Sequence, residues 1–170
     1  MMDHAYDLLD HVKSSYKLGL ITNGLKEVQR PRLKAAKIYD YFDAIVVSDE
    51  IGHAKPQQGY FDHVFSQMGP TDLSKTIVIG DSLNSDIKGA LDYGLDCVWL
   101  NHERKSHGGL KPTYEVRSVK EIIELFSMYI PAFSSLKKPV FRHISLIFSF
   151  RLDLNLVLNI FTASYSKATL

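Results

Sequence analysis

Short apolar runs and helix-like segments alternate along the first 130 positions of the chain. Short, mainly apolar runs predict four strands, over 17–22, 44–48, 76–80 and 97–100, and the run over 44–48 is β-branched. Helical spacing or helix-favouring composition predicts helices over 3–16, 25–37, 57–68, 84–93 and 118–128. Short apolar strands separated by helices are typical of a parallel sheet covered on both faces. The pattern therefore predicts an α/β fold with a doubly wound parallel sheet.

Two of these helices have ends that the sequence leaves open. Pro31 lies inside 25–37, where it either begins the helix or kinks it. The helix over 84–93 can be capped by Asn84 or by Ser82, since both residue types favour that position.

The pattern changes near residue 129. Only one acidic residue, Asp153, follows that point. From Phe148 to Ile160 the even positions are all apolar and the odd positions are polar except Val157, which is a strand-like alternation. We expect this segment to be unrelated to the preceding domain, as a frameshifted or read-through end would be.

The change in character divides the chain into a partial α/β core over 1–128 and an apolar tail over 129–170. Arg142 and Arg151 are among the charged residues that interrupt the tail, whereas a membrane helix needs roughly 20 predominantly apolar residues. We therefore expect no membrane association.

Composition adds few constraints. The chain has 170 residues, of which 45% are hydrophobic and 23% charged, with a formal net charge of +1. This balance implies no charge-driven nucleic-acid or membrane partner. Cys97 is the only cysteine, which excludes a disulfide framework and favours a reduced, cytoplasmic setting. The N-terminus carries early acidic residues and does not resemble a signal peptide.

Two carboxylates follow the third predicted strand. Asp81 ends that strand, and Asp86 falls in the first turn of the next helix, so both can face one cleft. Hard oxygen ligands of this kind suit Mg²⁺ together with waters and a substrate phosphate. The structural alternative is a turn residue followed by an acid that the helix dipole favours.

Two further candidates lie at predicted strand ends or loops. Thr22-Asn23-Gly24 follows a strand and opens a helix, which makes it either a phosphate seat or an ordinary capped turn. Lys55 lies in a loop before Pro56, where it could neutralise a phosphate or be a solvated surface lysine.

These pieces occur in an order that resembles a known family. The segments LITNG (20–24), AKP (54–56) and IGDSLNSDIKGA (79–90) resemble the second, third and fourth motifs of haloacid-dehalogenase-like (HAD) hydrolases. The resemblance runs from about residue 3 to residue 128. The segments NGLKEVQRPRLKAAKI, GLDCVWLN and PTYEVRS look like the pyrimidine 5′-nucleotidase branch, whose members remove phosphate from nucleoside monophosphates.

The resemblance implies a role for each candidate residue in Mg²⁺-dependent phosphoryl transfer through an aspartyl-phosphate. Thr22 would bind the phosphoryl oxygens with help from Asn23, and Lys55 would steady the nucleophile and the phosphate charge. Asp81 would hold Mg²⁺, and Asp86 would support it directly or through water. The expected partner is a small phosphorylated metabolite, a nucleoside monophosphate.

One part of the family pattern has no counterpart before Leu18. The family's first motif is a strand that ends in Asp-x-Asp-x-Thr or Val and supplies the nucleophile, but residues 3–16 are predicted to be helical. We therefore expect a HAD-like (Rossmannoid) sheet that lacks its first strand and cap domain, as in a truncated chain, and that is inactive alone. The strands over 17–22 and 76–80 would each lose a neighbour, which leaves costly unpaired backbone groups.

The tail offers a candidate for the vacant strand position, which the residues disfavour. Polar Ser149 and Arg151 alternate within 148–160, whereas a central parallel strand should be apolar on both faces. Asp153 and Asn155 superficially fit Asp-x-Asn-x-Val, but an asparagine cannot act as a general acid.

Two other functions remain open. The chain could be a non-catalytic module that binds phosphate and Mg²⁺ without turnover. It could also be a receiver-like domain that accepts a phosphoryl group, although such a domain has its acidic cluster near the N-terminus, and here the acids come late.

Overall fold

The structure is a computed structural model that describes residues 4–134 and 145–149, with side chains described up to 128 and over 145–149. The helices are α1 (Ala5–Lys13), α2 (Lys26–Ala35), α3 (Ser48–Ile51), α4 (Gln58–Met68), α5 (Lys88–Asp92) and α6 (Val119–Ser134). The strands are β1 (Lys17–Thr22), β2 (Ala44–Val47), β3 (Thr76–Gly80), β4 (Asp96–Leu100), β5 (Tyr114–Val116) and β6 (Ser145–Ser149). Short 3₁₀ turns cover Tyr39–Tyr41 and Leu73–Lys75, and a π-helical turn covers Leu83–Ile87.

The six strands form one parallel sheet with helices on both faces. The strand order is β2-β1-β6-β3-β4-β5, and each described ladder is parallel. One face packs against α1, α2 and α6, and the other packs against α4 and α5. The prediction of a doubly wound α/β sheet is therefore confirmed.

Strand β6 lies in the centre of the sheet, between β1 and β3. Its five residues pair with Lys17–Ile21 on one side and with Thr76–Gly80 on the other. The expectation that these two strands lose their ladder partners is wrong, and so is the expectation that the tail leaves this position vacant. The strand that enters comes last in the described chain.

The burial of β6 explains why this segment fits. Leu146 and Phe148 are fully buried on the face of α1 and α6, and Ile147 is fully buried on the face of α4. The polar residues Ser145 and Ser149 stand at the two ends of the strand, and Ser149 is hydrogen-bonded to the side chains of Lys55 and Asp86. A central strand must therefore be apolar at its three middle residues, which β6 satisfies, and its two end residues can be polar.

Most other predicted elements are confirmed, with differences at their ends. Pro31 lies inside α2, and α6 runs to Ser134, six residues past the predicted end at 128. Strand β5 was not predicted, because three residues are too few to show a periodicity. The pattern at Asp153 and Asn155 lies outside the described residues. The division of the chain into 1–128 and 129–170 stays a prediction.

Gly19 lies close to a side chain of α4. A Cβ built on Gly19 would lie 2.9 Å from Sδ of Met68, which is buried on α4. The missing side chain lets α4 approach the middle of β1.

Within the described residues, no helix is both long and apolar enough to cross a membrane.

Candidate functional site

The candidate site lies at the carboxyl edge of the three central strands. Strand β1 ends at Thr22, β6 at Ser149 and β3 at Gly80, just before Asp81. The chain order reverses across this part of the sheet, because β2 lies on one side and β4 on the other. Open α/β sheets bind ligands outside the carboxyl ends of their strands at such a switch point.

Asn23 attaches the lysine loop to the end of β1. Its side-chain amide donates to the carbonyl of Lys55 at 3.1 Å, and its Oδ1 accepts the backbone N–H of Lys55 at 3.0 Å. This reciprocal pair fixes the backbone of Lys55 at the edge of the sheet. The structure thus brings two of the predicted residues together, and the amide of Asn23 is occupied in doing so.

Lys55 and Asp86 form a buried ion pair. Nζ of Lys55 lies 2.9 Å from Oδ1 of Asp86, and the two side chains are 4% and 2% exposed. The same ammonium donates to the carbonyl of Ile21 at 3.4 Å and to Oγ of Ser149. The solvated surface lysine that the sequence left open is excluded by this burial.

Asp86 is held on both of its carboxylate oxygens. Oδ2 accepts the backbone N–H of Ser82 at 3.0 Å, and Oδ1 accepts the hydroxyls of Ser85 and Ser149 at 3.1 and 2.8 Å. The sequence predicts that the side chain of Ser82 or Asn84 caps this turn, but neither does. The backbone N–H of Ser82 instead donates to the carboxylate of Asp86.

The π-helical turn that carries Asp86 brings its carboxylate back over the end of β3. A Cβ built on Gly80 would lie only 2.5 Å from Cβ of Asp86, so a larger residue at position 80 would displace the carboxylate. Single π turns inside helices occur frequently at functional sites. The predicted regular helix over 84–93 is therefore a π turn followed by the short helix α5.

Asp81 is half-buried at the end of β3, and its backbone is anchored. The indole N–H of Trp99 donates to the carbonyl of Asp81 at 3.1 Å. Trp99 is 1% exposed, so its ring packs in the core while its N–H positions the strand end.

Thr22 is held by a hydroxyl that belongs to α4. Oη of Tyr60 accepts the backbone N–H of Thr22 at 3.0 Å and lies 2.7 Å from the carbonyl of Val46, to which it donates. The Tyr60 ring is fully buried, and this burial raises the pKa of its hydroxyl. Within the described residues, Oγ1 of Thr22 makes a long hydrogen bond of 3.4 Å to the carbonyl of Asn23.

Sequence reasoning missed Ser149 and the hydroxyl of Tyr60. The helical spacing over 57–68 favours a core position for Tyr60, which is correct for its ring but says nothing of its oxygen. The available signal is general: a buried tyrosine hydroxyl usually finds a hydrogen-bond partner. The polarity of Ser149 disfavours a central strand in the sequence, but Ser149 is the last residue of β6, where its hydroxyl contacts Lys55 and Asp86.

The donor set limits how a metal ion could be held. Among the described residues, no group of three or more His, Cys, Asp or Glu side chains is placed to bind one. Mg²⁺ often binds proteins through one or two carboxylates, with waters and substrate phosphate completing its shell. Asp81 fits that use by its place at the carboxyl end of β3. Asp86 is hydrogen-bonded to Lys55, Ser82 and Ser149.

The comparisons with known proteins agree with this arrangement. The family described as "Haloacid dehalogenase-like hydrolase" matches residues 1–100. The chain belongs to the haloacid dehalogenase-like hydrolase family. The resemblance found in the three sequence motifs is thereby confirmed.

Relatives in the pyrimidine nucleotidase branch are similar to this chain over most of its length. Pyrimidine 5′-nucleotidase YjjG of Escherichia coli (strain K12) is 40% identical over 122 residues, which are 71% of this chain and 54% of that protein. Pyrimidine 5′-nucleotidase PynA of Streptococcus pneumoniae (strain ATCC BAA-255 / R6) is 34% identical over 122 residues, which are 71% of this chain and 52% of that protein.

A solved structure has the same fold. The crystal structure of the HAD-hydrolase YfnB from Bacillus subtilis, bound to magnesium, matches with a TM-score of 0.70 and 35% identity. The match covers 72% of this chain and 54% of that one. The chain thus spans about half the length of these relatives.

Proposed function

We propose that this chain carries the phosphate- and metal-handling part of a Mg²⁺-dependent phosphatase that acts on nucleoside monophosphates. The observation that carries the proposal is the buried Lys55–Asp86 pair at the carboxyl edge of the central strands. A buried ion pair is costly to form and is a weak source of stability, so its position at a ligand-binding edge favours a functional role. The names of the similar nucleotidases support the substrate class.

The residues at this edge divide the work of phosphoryl transfer, which is mostly positioning and charge stabilisation. Thr22 offers a hydroxyl and the loop toward α2 offers backbone N–H groups to phosphoryl oxygens. Lys55 supplies a positive charge whose direction is set by Asp86 and by the backbone bonds to Asn23.

The metal would be held by Asp81 together with a phosphoryl oxygen and waters. Mg²⁺ bound there would neutralise charge on the phosphoryl group and help orient it. Asp86 would support this arrangement from behind, by fixing Lys55 and the turn that follows Asp81. Its two oxygens are already hydrogen-bonded, which favours the indirect role over direct coordination.

We further propose that the chain alone does not turn over. The family resemblance implies an aspartate nucleophile at the end of the central strand, close to the lysine. In the described residues, the side chain that meets Lys55 from the central strand is the hydroxyl of Ser149. An aspartyl-phosphate cannot form on a serine, so the second candidate, a non-catalytic phosphate- and Mg²⁺-binding module, has a specific observation in its favour.

Calorimetric titration and a phosphate-release assay with a pyrimidine nucleoside 5′-monophosphate test the proposal. We expect Mg²⁺-dependent binding of the monophosphate, competition by inorganic phosphate, no binding of the free nucleoside, and no phosphate release. Asp81→Asn should remove the Mg²⁺ dependence, whereas Asp72→Asn, which changes an exposed carboxylate that binds Ser74, should not.

Two results would contradict the proposal in different ways. Phosphate release that Asp81→Ala abolishes would show that the chain is a complete enzyme and overturn its proposed inactivity. Failure of the folded chain to bind phosphate, the monophosphate and Mg²⁺ would overturn the site itself.

A further inference from the structure

The ammonium group of Lys55 has no hydrogen left for a ligand in the described conformation. A lysine offers three donors and no acceptor. Its three contacts are the carbonyl of Ile21, Oδ1 of Asp86 and Oγ of Ser149. An anion that binds Lys55 must therefore replace one of these three oxygens.

Ser149 is the replaceable partner. The carbonyl of Ile21 belongs to a central strand, and Asp86 is a charged carboxylate held by three other donors. The hydroxyl of Ser149 is neutral and stands on the last residue of β6, at the edge where ligands bind. Bonds from an ammonium to an anionic oxygen are stronger than bonds to a neutral one.

We propose that Ser149 occupies the position of an anionic oxygen at Lys55, so that strand β6 competes with a phosphoryl group for the lysine. This inference rests on the proposed phosphate-binding function. In the described conformation the neutral hydroxyl of Ser149 takes the place of a phosphate oxygen at Lys55. An anion gains access to the ammonium group when that hydroxyl is displaced.

Removal of the hydroxyl would favour the anion. Without Oγ of Ser149, one N–H of Lys55 loses its acceptor in a buried place, which is unfavourable until a ligand oxygen takes the hydrogen. Asp86 keeps its bonds to Lys55, Ser82 and Ser85, so its carboxylate stays paired. The gain should therefore appear in anion affinity and depend on Lys55.

The experiment titrates inorganic phosphate into the folded chain by calorimetry, with Mg²⁺ absent and then present. We expect Ser149→Ala to bind phosphate about tenfold more tightly than the unchanged chain, as when one charge-assisted hydrogen bond of about 1.4 kcal/mol is released. Ser149→Cys nearly keeps the shape but has a weak acceptor, so it should change the affinity in the same direction even if the alanine variant folds poorly.

Ser145→Ala is the matched control. Ser145 stands at the other end of the same strand and is also buried, at 2% exposed, but it is not among the hydrogen-bonded partners of Lys55. We expect its phosphate affinity to equal that of the unchanged chain. Adding Lys55→Met to Ser149→Ala should cancel the gain, which separates an effect through Lys55 from a general loosening of β6.

The outcomes distinguish this inference from the proposed function. Unchanged or weaker phosphate affinity in both Ser149 variants, with measurable binding by the parent chain, would overturn the competition. An equal gain in Ser145→Ala, or a gain that survives Lys55→Met, would also overturn it. Absence of phosphate binding in every folded variant would instead overturn the phosphate site.

Discussion

Two ion pairs in this molecule have similar chemistry but different surroundings. Lys55 and Asp86 are almost completely buried and meet at the carboxyl edge of the central strands. Arg30 and Glu50 meet on the surface between α2 and α3, with side chains 32% and 23% exposed and two N–O distances of 2.5 and 2.7 Å. The surface pair has the better bidentate geometry, yet water can replace either partner.

The difference lies in what each pair requires of its neighbours. A buried charge that loses its partner keeps its full desolvation cost, so the buried pair needs further donors and acceptors around it. Ser149 and Ser82 provide them to Asp86, and Ile21 provides one to Lys55. An exposed pair makes no such demand, because it is screened and solvated. A buried pair of this kind therefore organises several strand ends. The surface pair joins two helices, and Arg30 makes further bonds to the hydroxyl of Tyr39 and the carbonyl of Ile45.

The largest expected effect comes from breaking the buried pair. Asp86→Ala leaves the ammonium of Lys55 buried without its carboxylate, and we expect it to lower the free energy of unfolding by about 3–5 kcal/mol. Urea denaturation measures this loss directly. Glu50→Ala is the surface counterpart and should cost less than about 1 kcal/mol.

The double variant Lys55→Met/Asp86→Leu tests whether the unpaired charge causes that loss. Replacing both charges by apolar side chains removes the desolvation cost, so the double variant should be more stable than Asp86→Ala. Equal losses in the double variant and in Asp86→Ala would show that the hydrogen-bond network, and not the unpaired charge, dominates at this edge.

The next largest effect concerns two tyrosine hydroxyls. Tyr60→Phe leaves the backbone N–H of Thr22 and the carbonyl of Val46 without this partner in a buried place, which we expect to cost about 1–3 kcal/mol. Tyr93 is the matched surface case, since its hydroxyl donates at 2.7 Å to the exposed carboxylate of Asp62. Thermal unfolding of Tyr60→Phe and Tyr93→Phe compares them, and a larger loss for Tyr93→Phe would contradict the assignment.

Much of the fold was predictable because apolar runs and helical spacing are local signals. The strands over 17–22 and 76–80 and their end residues Thr22 and Asp81 follow from those signals alone. The placement of β6 was not predictable in this way, because it depends on a vacancy between two strands that are far apart in sequence. The expectation that a central strand is apolar throughout considers only the strand's own residues. It takes no account of the backbone hydrogen bonds that β6 supplies to β1 and β3.

The candidate site shows the same division. The position of Lys55 near a strand end could be inferred from motif order, but its pairing with Asp86 depends on a π turn that no periodicity signals. The contact with Ser149 depends on both of these placements. Thr22 and Asp81 could be identified from the sequence because each directly follows or ends its own predicted strand. Ser149 could not, because its role is to complete hydrogen bonds of Lys55 and Asp86, which lie far away in the sequence.

The smallest expected effect comes from the surface pair and depends on pH. The hydrogen bonds from Arg30 lower the pKa of Glu50 below its ordinary value of 4.5, despite an opposing contribution from desolvation. A carboxylate whose pKa is lower in the folded state stabilises the fold above its unfolded pKa, and the stabilisation is lost as pH falls through the folded value. Glu50→Gln should therefore destabilise the chain by about 0.2–1 kcal/mol at neutral pH and by less below about pH 4. Urea denaturation at several pH values and two salt concentrations measures this. A loss that persists unchanged in acid or in high salt would show that the pair acts through packing of the Arg30 and Glu50 stems instead of through charge.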